Sequence, residues 1–135
     1  MKNWISLLLI LSSTSAFAAM DPQLAGTWKS EKEVYELDDA KVFLDVLFKP
    51  NGVVLTANCF FKGGQILKSS VETKAEYAVG SIKALESKDN VTQGSDGKEC
   101  PVFTRPTQID YQFKNANTLT VDYKELGLVF NLLRK

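Results

Sequence analysis

The chain has 135 residues, in which 16 lysine and arginine side chains balance 16 aspartates and glutamates, and it contains no histidine. This balance lacks the excess of positive charge that nucleic-acid-binding surfaces need, so we expect no nucleic acid partner. Because histidine is the commonest general base and metal ligand, its absence predicts that the protein is not an enzyme and uses no metal or cofactor.

The first 18 residues have the three parts of a secretory signal peptide. Lys2 gives a positive start, residues 5–11 form an apolar stretch, and Ala16 and Ala18 have the spacing of a cleavage site. The apolar stretch is much shorter than the roughly 20 residues that span a bilayer, so we expect no stable membrane anchor. Cleavage after Ala18 predicts an exported protein, periplasmic or secreted, in which residues 19–135 form one domain.

Two cysteines, Cys59 and Cys100, follow in the exported part of the chain. Paired thiols usually become a disulfide in an oxidising compartment, and this spacing fits neither a zinc knuckle nor a redox CxxC pair. Closing a loop of that length restricts the unfolded chain by about 4 kcal/mol. We therefore predict a structural Cys59–Cys100 bridge.

From Gly26 onward, apolar and polar residues alternate with a period of two between turn signals, which predicts β-strands. Short turns are expected at residues 50–52, 80–81 and 115–117, where proline, glycine and asparagine concentrate. Residues 88–106 are expected to be the longest loop, because Pro101 and Pro106 exclude regular pairing nearby. The eight predicted strands cover about residues 26–36, 42–49, 53–61, a long segment ending near 79, 82–87, 108–113, 118–123 and 128–134.

An eight-stranded antiparallel meander returns its last strand to the end at which its first strand begins. Closing it into an all-β, up-and-down barrel leaves no exposed strand edge. The short turns then lie at this lower end, and the long loop lies at the upper end. Cys59, near the upper end of its strand, is thereby brought close to Cys100 in the upper loop.

Three residues at the lower end resemble the signature of the lipocalins and the wider calycin superfamily of β-barrels. Gly26 precedes Trp28 by one intervening residue in the first strand, and Arg134 closes the last strand. The resemblance implies that Trp28 packs inside the closed end of the barrel and that Arg134 lies across its face. The chain is most similar to the compact lipocalin-like domains of exported bacterial proteins.

The interior of an eight-stranded barrel is either filled by side chains or holds one small ligand. Many of the predicted inward side chains are aromatic, which favours a filled core. The alternative is a partly polar pocket that opens upward, because buried tyrosine hydroxyls need partners. Its candidate ligand-binding residues are Tyr77, Tyr111, Tyr123, Phe48 and Thr73.

Three functions remain open from the sequence. The first is binding of a small hydrophobic or amphipathic molecule, which the lipocalin resemblance implies. The second is a protein-binding barrel, similar to periplasmic inhibitors of proteases or lysozymes, in which the 88–106 loop contacts a protein partner. A loop held by a disulfide loses less entropy on binding, which is a physical reason for that bridge. The third is a structural domain without a ligand.

Overall fold

The computed structural model describes residues 19–135, and the predicted signal peptide lies outside the described residues. Single turns of 3₁₀ helix cover Pro22–Leu24, Ser95–Gly97 and Lys124–Leu126. The strands are β1 Gly26–Ser30, β2 Tyr35–Leu37, β3 Ala40–Lys49, β4 Gly52–Phe61, β5 Ile66–Ala78, β6 Ser81–Ala84, β7 Lys88–Gln93, β8 Glu99–Thr104, β9 Thr107–Asn115, β10 Thr118–Tyr123 and β11 Leu128–Arg134.

Eight of these strands form a closed antiparallel barrel in the order β1-β11-β10-β9-β6-β5-β4-β3, and β1 also pairs with β3 to close the ring. The ring closes at Trp28, which pairs with Arg134 on β11 and with Val46 on β3. The predicted eight-stranded, up-and-down fold is therefore confirmed. The architecture is compatible with a calycin-like fold.

The first predicted strand, over residues 26–36, is interrupted in the structure. β1 pairs with one half of β3, and β2 pairs with the other half, where Tyr35 faces Val42. The fourth predicted strand, which ends near residue 79, ends at Ala78 in the structure, and Val79 is 98% exposed. Val79 lies beyond the end of β5, next to Gly80, whose positive φ of 77° turns the chain into β6.

The predicted loop over residues 88–106 is instead a β-hairpin, in which β7 and β8 pair only with each other. Pro101 lies opposite Val91 in this pairing. The prediction that Pro101 excludes regular pairing is wrong because β8 is an edge strand, where a missing N–H need not cost a ladder bond. The inserted hairpin leaves the meander of the barrel unchanged.

Side chains of the hairpin bind the upper half of β5, whose partner β6 reaches only residues 75–78. The Asn90 Nδ2 donates to the Ser70 carbonyl at 3.0 Å, and the Thr92 hydroxyl donates to the Lys68 carbonyl at 2.6 Å. The Ser69 hydroxyl donates in turn to the carbonyl oxygen of Cys100 at 2.5 Å. These bonds satisfy strand-edge carbonyls that would otherwise lack a partner.

The lower end of the barrel is closed by Trp28, which is fully buried and donates its indole N–H to the Leu24 carbonyl at 2.9 Å. The Arg134 guanidinium lies 4.2 Å from the centre of the indole ring, as the lipocalin resemblance implies. Its nitrogens also donate to the carbonyl oxygens of Gln23, Ala25 and Ala116 at 2.6–3.2 Å. Arg134 therefore links the first turn, the last strand and the turn at Ala116, which together close the lower end of the barrel and form its lower plug.

The core consists of two clusters. The lower cluster surrounds Trp28 and includes Leu24, Phe48 and Tyr77. The upper cluster surrounds the predicted Cys59–Cys100 disulfide, which is present, and it joins the hairpin to β3, β4 and β5. Both cysteines are fully buried, so the hairpin is fastened to the barrel from inside.

Candidate functional site

A cavity of about 340 Å³ lies inside the barrel and extends beneath the β7–β8 hairpin. Seven of the eight barrel strands contribute inward side chains to its wall, and the hairpin contributes Val102 to Thr104. Most of the lining residues from the barrel strands are aliphatic, and the exceptions are Phe48, Thr73, Tyr111, Tyr123 and Phe130. The aliphatic ones are Leu44, Val46, Val53, Leu55, Ile82, Ala84, Ile109, Val121, Leu128 and Leu132.

The expectation of a filled interior is therefore wrong. The reason is the distribution of the aromatic side chains along the barrel axis. Trp28, Phe113 and Tyr77 belong to the lower cluster, and Phe61 belongs to the upper cluster. Phe48, Tyr111, Tyr123 and Phe130 do line the space between them, but their neighbours there are smaller residues such as Ala84, so the wall does not fill the barrel at this level.

The two threonine hydroxyls along the wall are already bonded within the protein. The Thr104 hydroxyl donates to the Glu86 carbonyl at 3.0 Å. The Thr73 hydroxyl donates to the Lys74 carbonyl at 3.1 Å and accepts the Glu86 N–H at 3.3 Å. A ligand in the cavity therefore meets a surface that gains little from a polar group.

Four of the five predicted ligand-binding residues line the cavity, namely Phe48, Thr73, Tyr111 and Tyr123. Tyr77 does not. Its hydroxyl lies below the cavity, 2.8 Å from the Lys49 carbonyl oxygen and 3.0 Å from that of Gly52. Burial raises the pKa of Tyr77 to about 12, although the Lys49 backbone opposes the rise. Tyr77 closes the lower turn, and the three tyrosine hydroxyls do not converge on one pocket.

Tyr111 and Tyr123, the two predicted ligand-binding tyrosines that line the cavity, lie at different levels. Burial raises the pKa of both hydroxyls, but the charged neighbours that modify the rise differ. Asp21, beside the lower plug, raises the pKa of Tyr111 further. At Tyr123, Glu125 raises the pKa and Arg105 lowers it. Tyr123 is the last residue of β10, just before the turn at residues 124–126, so it lies at the upper mouth of the cavity together with Arg105.

Three segments surround this mouth: Val34 and Tyr35, the end of β8 from Phe103 to Arg105, and the turn that includes Leu126. Phe103 is 41% exposed and Leu126 is 49% exposed, so apolar surface continues from the cavity to solvent. Phe103, Thr104 and Arg105 were not predicted at this rim, because residues 88–106 were expected to form a loop. The alternation of Cys100, Val102 and Thr104, all buried, is the signal that was available.

Arg105 is the only charged side chain among the described residues that line the cavity. Its Nη1 donates to the Asp89 carboxylate and to the Thr104 carbonyl, both at 2.7 Å. The guanidinium also lies 5.1 Å from the centre of the Phe103 ring, a cation–π contact. These three contacts hold the positive charge at the rim.

In residues 19–135, no group of acidic or cysteine side chains is arranged to hold a metal ion. The same part of the chain contains no helix long and apolar enough to cross a membrane. When the chain is compared with models of protein families, with curated proteins and with solved structures, nothing matches. The geometry of the barrel and its cavity therefore carries the functional argument.

Proposed function

We propose that the protein is an exported, lipocalin-like barrel that binds a small hydrophobic or amphipathic molecule in its interior. The observation that carries this proposal is the cavity of about 340 Å³ with its aliphatic wall. This volume is near the lower end of the range for small-molecule sites, roughly 300–1,000 Å³. An apolar molecule that fills the cavity removes this aliphatic wall from water, which is favourable in free energy.

Two further features support the proposal. The Arg134–Trp28 contact and the positive φ of 106° at Gly26 agree with the lipocalin resemblance at the closed end. The disulfide fits an oxidising location, as the predicted signal peptide requires. The lipocalin resemblance does not extend to the upper end, because a hairpin that is fastened from inside covers part of the barrel there and leaves an apolar rim beside it.

The hairpin also supports a second candidate function, recognition of a protein partner. Val91 is 42% exposed and Phe103 is 41% exposed on two strands that the disulfide holds rigidly. Rigid apolar side chains lose little entropy when they bind. This alternative does not need an empty interior, so the two functions are separated by a change made inside the cavity.

The test is a titration of the folded, oxidised protein with N-phenylnaphthylamine, a neutral probe whose fluorescence rises in apolar surroundings. Ala84→Leu adds three carbons to the cavity wall and should weaken binding at least tenfold. Ala78→Leu is the matched control, because Ala78 is exposed near the end of the neighbouring strand β5. Equal binding by wild type and both variants would contradict the proposal and leave protein binding or a structural role.

A further inference from the structure

The mouth of the cavity combines one fixed positive charge with apolar surface on both sides. Arg105 lines the cavity together with its aliphatic wall and with the exposed side chains of Phe103 and Leu126. A wholly apolar ligand would cover this guanidinium and remove its water without replacing the lost hydrogen bonds, which costs free energy. A ligand that carries a hydrogen-bond acceptor at one end avoids that cost.

The hydrogen bonds of Arg105 leave one edge of its guanidinium available. A guanidinium has five N–H donors in a planar fork. Within the described residues, the Nη1 atom makes both hydrogen bonds of this side chain, to Asp89 and Thr104. The Nε and Nη2 donors remain, and their parallel N–H bonds match the two oxygens of a carboxylate.

The negative charges nearby do not occupy this edge. Asp89 is bound through Nη1, and its side chain is 64% exposed. Glu125 acts on Tyr123 through its charge, but it does not line the cavity. Tyr123 does line it, and the charge of Arg105 lowers the pKa of its hydroxyl. A phenol that stays neutral can donate a further hydrogen bond to an anionic head group.

We propose that the ligand is a single-chain amphiphile with a terminal carboxylate, whose chain fills the cavity and whose carboxylate binds the Nε–Nη2 edge of Arg105. This inference rests on the proposed function, because it assumes that the cavity binds an apolar chain. It adds a specificity residue on the hairpin, where the sequence analysis placed only a possible protein contact. It also assigns Asp89 a role, since this carboxylate orients Arg105 while partly neutralising its charge.

The experiment displaces bound N-phenylnaphthylamine with decanoate, decanol and decylammonium, which share one chain and differ in head group. Wild type should bind decanoate at least tenfold more tightly than decanol, and decylammonium most weakly. Arg105→Gln should remove the preference for decanoate while leaving decanol affinity within twofold. Asp89→Asn should strengthen decanoate binding severalfold, because it removes the competing negative charge. Added salt should weaken decanoate binding in wild type and have little effect in Arg105→Gln.

Lys88→Gln is the matched control, because it removes one positive charge from the same hairpin at a side chain that does not line the cavity. It should keep the preference for decanoate. Binding of N-phenylnaphthylamine and an unchanged circular dichroism spectrum show that each variant is folded with an intact cavity. Equal affinity of wild type for decanoate and decanol, or an unchanged preference in Arg105→Gln, would overturn the inference while leaving the proposed function standing. Failure of the neutral probe to bind wild type would overturn both.

Discussion

Replacing one alanine by leucine at two places in the barrel should change stability in opposite directions. Ala84 lines the cavity, whereas Ala57 is fully buried in the upper cluster beside the disulfide and does not line it. The Cys100 sulfur lies 3.6 Å from the Ala57 carbonyl oxygen, so that region is already packed. The two variants add the same three carbons, and only the space around them differs.

The expected magnitudes follow from that space. Burying three carbons at about 0.8 kcal/mol each contributes about 2.4 kcal/mol. Ordering the leucine side chain costs about 0.5–1 kcal/mol. Ala84→Leu should therefore raise the free energy of unfolding by about 1.5 kcal/mol. Ala57→Leu should lower it by about 1–3 kcal/mol, because an overpacked core must shift its backbone or its rotamers.

The assay is equilibrium unfolding in guanidinium chloride with the disulfide intact, monitored by tryptophan fluorescence and circular dichroism. Both probes must give the same transition for the free energies to be compared. A loss of stability in Ala84→Leu as large as that in Ala57→Leu would refute the reasoning, because it would mean that no space exists beside Ala84.

Three other predictions concern the lower end of the barrel. Arg134→Gln should lower the free energy of unfolding by about 3 kcal/mol in the same denaturant assay, because it removes four hydrogen bonds and the Trp28 stack. Lys135→Gln is its control: it breaks an exposed ion pair with Asp45 and should cost less than about 1 kcal/mol. Gly52→Ala should lower the free energy of unfolding by about 1–3 kcal/mol, since a Cβ there would lie 2.8 Å from the Thr73 carbonyl oxygen. Gly63→Ala, whose Cβ would meet only the flexible end of Lys98, should differ little from wild type in thermal unfolding. Burial raises the pKa of Tyr77 from 10.0 to about 12, so its contribution to stability is present below pH 10 and is lost as the pH rises toward 12. Tyr77→Phe should therefore make the fall in the free energy of unfolding between these pH values shallower. An unchanged fall would contradict this assignment.

The barrel and its closed end were predictable because they depend on local patterns. Alternation assigns each residue to a face, and Pro50, Asn51 and Gly52 specify a tight turn wherever they occur. Once the strands are counted, the meeting of Trp28 and Arg134 follows from their direction. The interruption between β1 and β2 was missed because it depends on which half of β3 each segment pairs with.

The hairpin was not predicted, and the cavity was only the less favoured alternative, for different physical reasons. β7 shows no buried stripe, because its side chains bind backbone carbonyls of β5 that are distant in sequence. The cavity depends on the summed volumes of side chains at one level of the barrel, which alternation does not report. Arg105 has no sequence signal of its own, and only the hairpin places it at the mouth.

The most direct measurement is native mass spectrometry of the mature, oxidised protein purified from its own host, followed by denaturing extraction. The proposed function predicts a mass above that of the bare polypeptide, with the excess released on denaturation as a small apolar or amphipathic molecule. Ala84→Leu prepared in the same way should have the bare mass, and Ala78→Leu should retain the excess. A wild-type protein that has the mass of the bare, disulfide-bonded polypeptide, and that still has it after incubation with excess decanoate and N-phenylnaphthylamine, would contradict the proposal that the barrel binds a ligand in its interior.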